Sequence, residues 1–224
     1  NYDHFYVKIP DASRIFGLEL EHTLSPNRFN YLVHQGTLIE EHIAGIPGDV
    51  FIRDHLNVKG INLVRVAKEF VKFNERCFVQ LLGDMRSYNY VVDVTPDFEQ
   101  TQYRVRAIDF DQQSYEGAVR IYLPQFFKEN VEIVKLCTGL LNQATMEQYM
   151  VEERTLIRRR VRVEHQRLNA LLDCMQLEEL STPEKIAELT QGLGERQKTN
   201  LFDSCRTMGE VVRTQIEVSL AQAG

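Results

Sequence analysis

Residues 81–89 read LLGDMRSYN, and residues 108–111, further along the chain, read IDFD. This pair of segments decides our expectation of the fold, because it spaces three polar side chains in the order that phosphoryl transfer requires. Asp84 is suited to orient and deprotonate a hydroxyl group, and Asn89 is suited to hold a metal ion. Asp109 is suited to hold the same metal and to bridge it to the phosphates of a nucleotide.

The segments on either side of this loop predict elements that bring the three side chains together. Residues 62–82 carry apolar side chains at helical spacing, and we expect a long helix that Gly83 ends. Residues 88–94 and 101–110 are rich in β-branched and aromatic side chains, which predicts a hairpin. The helix would place Asp84 on a loop, and the hairpin would return the other two polar residues to the same end.

The chain ahead of this helix is rich in predicted strands. It contains three strands and one short helix, at residues 4–9, 14–24, 29–34 and 37–43. We expect Ser13 to cap the helix and Gln35-Gly36 to form a tight turn between the last two strands. Residues 44–48 break regular structure, and a short helix capped by Asp49 then runs to residue 56.

The chain after the hairpin is mostly helical. Four helices are predicted, at residues 124–142, 146–175, 183–193 and 194–221. The sequence therefore predicts an α+β fold with a smaller, strand-rich part over residues 1–45 and a larger, helical part over residues 46–224.

Composition favours an ordinary globular protein. The 224 residues are 43% hydrophobic and 26% charged, with a formal net charge of −6. The acidic balance argues against non-specific binding of nucleic acid, and no apolar run is long enough to span a membrane. The four cysteines are scattered, which argues against a zinc site, and Cys77 and Cys174 are predicted to be buried free thiols. We therefore expect a cytoplasmic protein.

Residues 5–117 resemble the protein-kinase-like fold, and they are closer to aminoglycoside and choline kinases than to the eukaryotic protein kinases. Three pieces carry the resemblance. The run Glu41-His42-Ile43-Ala44-Gly45 is similar to the hinge between the two lobes. Gly83-Asp84 with Asn89 is similar to the catalytic loop, and Ile108-Asp109-Phe110 is similar to the metal loop. The resemblance implies two lobes, a partial strand-rich N-lobe and a mostly helical C-lobe.

The resemblance also implies ligands and roles. ATP would lie between the lobes, and Mg²⁺ would be held by Asn89 and Asp109. Main-chain groups near Glu41 and Ile43 would bind the adenine, and Asp84 would act as the catalytic base on a hydroxyl acceptor.

Two further nucleotide contacts follow from the same resemblance. Lys8 is the available candidate for the lysine that binds phosphate, and Glu19 or Glu21 would be its partner on the following helix. Asp49, just past the hinge, is placed to reach the ribose or the substrate. A small-molecule acceptor is favoured, because the loop has Gly-Asp without an upstream His-Arg.

Two alternatives stay open. No glycine-rich phosphate loop precedes the strands, so either the chain begins after such a loop or the N-lobe is reduced. In the second case the protein would be a catalytically inactive pseudokinase. The other alternative is a helical interaction scaffold, in which the predicted helix at residues 146–175 docks a partner. The acceptor and the oligomeric state are left open by the sequence.

Overall fold

The computed structural model describes residues 4–28, 30–97 and 101–222. Residue 29, the predicted start of a strand, and residues 98–100, within the predicted hairpin connection, lie outside the described part. The α+β expectation is confirmed, since six strands in two small sheets accompany a majority of helix. In the described ranges, no helix has both the length and the apolar character needed to cross a membrane.

The first sheet is antiparallel and has the order β1-β3-β2. Its strands are β1 (Phe5–Lys8), β2 (Tyr31–His34) and β3 (Thr37–Glu41). Gln35 and Gly36 both adopt positive φ, at 47° and 76°, and the predicted tight turn between β2 and β3 is therefore confirmed.

The second sheet is also antiparallel and has the order β4-β5-β6. Its strands are β4 (Ile46–Pro47), β5 (Tyr90–Thr95) and β6 (Gln102–Ala107). The strands β5 and β6 form the predicted hairpin after the loop at residues 81–89. The strand β4 was not predicted, because two residues offer too little pattern to recognise.

Eight α-helices lie in the described part of the chain. They are α1 (Ala12–Leu24), α2 (Gly48–Val50), α3 (Leu63–Gln80), α4 (Val131–Leu140), α5 (Gln143–Val163), α6 (His165–Leu177), α7 (Pro183–Gln197) and α8 (Met208–Ala221). A π-helical turn (Phe51–His55) extends α2, and short 3₁₀ turns precede α4 and α8.

The helix α3 joins the two halves of the hydrophobic core. Phe70 and Phe73 belong to a cluster with the hairpin, and the ring centroids of Phe73 and Tyr90 are 5.2 Å apart. Phe78 and Val79, one to two turns later, belong to a second cluster built mainly with α1, α6, α7 and α8. Packing therefore holds both halves of α3, and the loop that follows begins at a buried helix end.

Several predicted helix ends were wrong. Asp11, not Ser13, caps α1, and its carboxylate accepts a hydrogen bond from the Arg14 N–H at 2.8 Å. Leu81, in the left-handed region with φ 54°, ends α3 before Gly83 is reached. Pro47 precedes α2, so Asp49 lies inside that helix and does not cap it.

The predicted C-terminal helices were also corrected. The helix expected at residues 146–175 is two helices, α5 and α6, which meet at Glu164. Of the helix expected at residues 124–142, only residues 131–140 form an α-helix, which is α4. The helix α7 does not end before Gly194 but continues to Gln197. Cys174, predicted to be buried, is exposed, whereas Cys77 is buried as expected.

Candidate active site

The loop after α3 is held in place by main-chain hydrogen bonds to the segment beyond the hairpin. Gly83 N–H donates to the carbonyl of Gln112 at 3.0 Å, and Asp84 N–H donates to the carbonyl of Ile121 at 3.1 Å. A methyl group on Gly83 would lie 2.8 Å from that Gln112 oxygen, so only glycine fits this close approach. Asp84 has φ 56°, a left-handed conformation that aspartate tolerates better than most residues.

Asn89 connects the loop that carries Asp84 to the segment that carries Asp109. Its side-chain amide donates to the main-chain carbonyl of Asp84 at 2.8 Å. Its own carbonyl accepts a hydrogen bond from the N–H of Ile108 at 3.0 Å. Because Ile108 directly precedes Asp109, the loop and the segment at residues 108–111 meet at Asn89.

The carboxylate of Asp84 has a cationic neighbour within its own loop. The Arg86 guanidinium donates its Nε–H to Asp84 Oδ1 at 2.7 Å, and this hydrogen bond raises the pKa of Arg86. Arg86 also lies 3.5 Å from Glu129 and stacks 5.4 Å from the centre of the Phe127 ring. The side chain of Asp84 is 30% exposed, so it remains open to solvent on one side.

Asp109 is bound by a cation that the sequence analysis did not assign. Arg14, on α1, lies with Nη1 3.2 Å from Asp109 Oδ1 and 2.6 Å from Asp111 Oδ1. Its Nε and Nη2 donate to the two carboxylate oxygens of Glu40 on β3, at 3.2 and 2.6 Å. We call Arg14, Glu40, Asp109 and Asp111 the Arg14 cluster.

The Arg14 cluster is charged and largely buried on its Arg14 side. The Arg14 side chain is only 4% exposed. Burial alone would lower the pKa of Arg14, but the hydrogen bonds to Glu40 and Asp111 outweigh it and keep that pKa above its ordinary value. One permanently protonated guanidinium therefore joins α1, β3 and the segment at residues 108–111.

Lys8 has a different partner from the one predicted. Its Nζ lies 2.6 Å from Glu40 Oε1, so the expected pairing with Glu19 or Glu21 is wrong. Glu19 instead pairs with Arg167 at 2.7 Å, and Glu21 accepts a hydrogen bond from Gln80 at 2.8 Å.

The strand register explains why Lys8 takes Glu40. Lys8 lies opposite Leu38 in the pairing of β1 with β3, so Glu40, two residues on, is a diagonal neighbour on the same face. The facing residue of α1 is the basic Arg14. The acid therefore comes from a strand, whereas the sequence predicted it on the following helix.

The hinge-like segment lines a cavity together with Lys8, Asn89 and Asp109. This cavity has a volume of about 460 Å³, and Glu41 and Ile43 form part of its wall. The carboxylate of Glu41 is turned to Asn30, accepting hydrogen bonds from the main-chain N–H and the side-chain amide at 2.9 Å each. Five of the seven predicted site residues therefore border one space.

The other two predicted residues lie beside that space. Neither Asp84 nor Asp49 is one of the described residues that line the cavity. Asp49 N–H donates to the carbonyl of Ser87 at 3.0 Å, so Asp49 lies against the loop that carries Asp84. The approach is close, because a methyl group on Gly48 would lie 2.4 Å from the same Ser87 oxygen.

The cavity wall offers oxygen donors of the kind that magnesium prefers. In the described part of the chain, no group of three or more His, Cys, Asp or Glu side chains is arranged to hold a metal ion. Asn89 and Asp109 are two oxygen donors, and a magnesium ion usually completes its shell with phosphate and water. The residues therefore fit a metal that arrives with a nucleotide, and Arg14 would share Asp109 with it.

Comparisons of this chain with protein families, with curated proteins and with solved structures found no match. The kinase-like interpretation therefore rests on the residues and contacts described above.

Proposed function

We propose that this chain binds ATP with Mg²⁺ in the 460 Å³ cavity and transfers the terminal phosphate to a hydroxyl group. One observation carries the proposal: Asn89 connects the Asp84 loop to Ile108, the residue before Asp109, at a cavity that Asn89 and Asp109 line with Lys8 and the hinge-like segment. Cavities of this volume lie within the range of small-molecule sites. Positioning and charge neutralisation supply most of the rate in phosphoryl transfer, and this arrangement provides both.

Each residue has a role in this proposal. Lys8, 39% exposed on its side chain, reaches the phosphates, while Asn89 and Asp109 hold the magnesium ion. Main-chain groups of Glu41 and Ile43 bind the adenine. Asp84 accepts the proton of the acceptor hydroxyl from the neighbouring side of the loop, and Asp49 contacts the acceptor there rather than the ribose.

The proposed architecture is a kinase-like pair of lobes, with the first sheet and α1 above the cavity and the helical part below it. We propose a small-molecule acceptor, as in the aminoglycoside and choline kinases that residues 5–117 resemble. All four cysteines are free thiols, which fits the cytoplasmic location that we propose.

A second candidate function is nucleotide binding without transfer. The Arg14 cluster favours it, because Arg14 Nη1 is 3.2 Å from the oxygen of Asp109 that magnesium needs. A cation held permanently at that carboxylate competes with the metal for the same oxygen. In this case the protein would be an inactive pseudokinase that responds to ATP.

Turnover of ATP separates the two candidates. We expect a slow ATPase or phosphotransfer activity that Asp84→Asn lowers by about 10²-fold or more, since general base catalysis is lost. Asp203→Asn, the same change at an exposed site away from the cavity, is the matched control and keeps the activity. Binding of ATP with no turnover in either protein would leave the pseudokinase, and absence of binding would refute both candidates.

A further inference from the structure

A second and larger cavity lies in the helical part of the molecule. Its volume is about 710 Å³, and α3, α4 and α5 enclose it together with the C-terminal end of α7. No residue that lines it also lines the 460 Å³ cavity. Its ligand is therefore independent of the proposed nucleotide, and this inference goes beyond the proposed function.

The inner walls of the 710 Å³ cavity are apolar. Phe70 and Phe78 on α3 face it, with Met146 and Met150 on α5. Aromatic rings give such a site a rigid apolar surface, whereas methionine side chains adapt to ligands of different shape. These walls suit an alkyl chain or a similar apolar body.

The charged side chains of the same cavity are mainly cationic, and the other polar side chains are neutral. Arg154, Arg196 and Lys198 line it, and Glu75 is the acid among them. Glu75 is 2% exposed and already accepts a hydrogen bond from Arg154 Nε at 2.5 Å. Because Arg154 already pairs with Glu75, the positive charge available to a ligand comes mainly from the other two cations.

Arg196 and Lys198 are less closely paired than Arg154, although the charge of Arg196 opposes the rise that burial causes in the pKa of Glu75. Arg196 lies 5.1 Å from the centre of the Phe78 ring, and within the described ranges neither Arg196 nor Lys198 forms an ion pair with a carboxylate. Lys198 is fixed at the end of α7 by its left-handed conformation, with φ 53°. Two exposed cations, neither of them in an ion pair with a described residue, therefore border this cavity.

We propose that the 710 Å³ cavity binds an amphipathic carboxylate, with its apolar body between α3 and α5 and its carboxylate on Arg196 and Lys198. A guanidinium pairs well with a carboxylate, because its parallel N–H groups match the two oxygens. An unesterified fatty acid, ionised to its carboxylate at neutral pH, has the required combination of apolar length and single negative charge.

Calorimetric titration of the full chain tests this site with dodecanoate below its micelle concentration. Dodecanol and dodecyltrimethylammonium are the two comparison ligands, with the same chain and a neutral or positive head. We expect saturable binding of dodecanoate, weaker binding of dodecanol and none of the cation. Equal binding of all three would overturn the proposal, because it would indicate adsorption without recognition of the head group.

Variants that lack the cationic side chains test whether dodecanoate binds in this cavity. Arg196→Gln with Lys198→Gln should weaken dodecanoate binding by about tenfold or more, the effect of losing about one charge-assisted contact. Arg53→Gln with Lys59→Gln removes the same charge from exposed positions outside the cavity and should leave the affinity unchanged. An equal loss in both double variants would contradict the proposal.

A filling substitution gives an independent check. Met146→Trp, in a protein whose circular dichroism matches the wild type, should abolish dodecanoate binding while ATP binding is kept. Undiminished dodecanoate binding in a folded Met146→Trp protein would place the ligand elsewhere. If Met146→Trp does not fold, the charge variants decide the question alone. Dodecanoate binding is measured without ATP, so failure here is distinct from failure of the proposed transferase.

Discussion

The two sides of the 460 Å³ cavity are built in different ways. The lower side, with α3 and the hairpin, rests on buried aromatic packing and main-chain hydrogen bonds, as at Gly83 and Asn89. The upper side is a thin sheet with exposed apolar residues, since Phe5 is 54% exposed and Val7 69% exposed. The Arg14 cluster is a polar link between them at the cavity itself. The candidate catalytic groups thus lie on the side packed by aromatic residues, and Lys8, the proposed phosphate ligand, lies on the sheet side, where Leu38 also reaches the core.

Two buried arginines, Arg76 in the helical part and Arg14 beside the cavity, differ in how exposed their acidic partners are. Arg76 and Glu153, in the helical part, pair at 2.5 Å and are at most 5% exposed, whereas the Arg14 partners Asp109 and Asp111 are 38% and 55% exposed. Arg76→Met should destabilise the fold by about 3–5 kcal/mol, because Glu153 is left charged and unpaired in the core. Arg14→Met should cost about 3 kcal/mol, the lower end of that range, since Lys8 still neutralises Glu40.

Urea unfolding measures the loss of stability in both variants, and ATP binding shows whether Arg14 also affects the cavity. We expect Arg14→Met to change the affinity for ATP and Mg²⁺, because it releases Asp109 and loosens the upper sheet. At a temperature where Arg76→Met is folded, that variant should bind ATP like the wild type. An equal effect of both substitutions on ATP binding would mean that Arg14 acts only through stability.

Gly48 tests the packing on the lower side. A methyl group there would lie 2.2 Å from an atom of the Tyr90 ring as well as close to Ser87, so Gly48→Ala should destabilise the fold by about 1–3 kcal/mol. Gly139→Ala, in α4 with no atom within 4 Å of the added group, is the control and should be neutral or stabilising. Thermal unfolding of the two variants checks this, and equal melting temperatures would argue against close packing at Gly48.

The thiols report on the same packing without altering it. Burial raises the pKa of Cys137 to about 12, and it also raises the pKa values of Cys77 and Cys205. Since the thiolate is the reactive form, only the exposed Cys174 should react quickly with a thiol reagent at neutral pH. Absorbance of the released chromophore measures this, and Cys174→Ser should remove the fast phase. A second fast thiol would show that the helical core opens readily.

The local parts of the site were predictable, and the long-range parts were not. The helix before Asp84 and the hairpin after it follow from periodicity in neighbouring residues. The Arg14 cluster joins residues from α1, β3 and the segment at residues 108–111, and no local pattern shows which face of α1 turns toward β3. Glu40, in a strand where buried and partly exposed positions alternate, was the available signal, since a buried acid needs a partner.

The predictions of the helix boundaries at Glu164 and Gly194 were wrong for a related reason. The break between α5 and α6 at Glu164 contains no glycine or proline, so no local stop signal predicts it. Gly194 suggested a break, yet α7 continues through it, because the carbonyl of Gly194 accepts the capping hydrogen bond from Lys198 one turn later. A single glycine inside a helix costs only about 1 kcal/mol, so the local preference at Gly194 is too weak to predict a break.

Calorimetric titration of ATP with Mg²⁺ is the most direct test of the central claim, that the cavity between Lys8 and Asp109 holds a nucleotide. The wild type should bind one ATP, and Asp109→Asn should lose most of the Mg²⁺-dependent part of the affinity. The Asp203→Asn control should bind as the wild type does. Binding of ATP that is unchanged in Asp109→Asn and in Lys8→Met, or no binding by the wild type, would contradict the account.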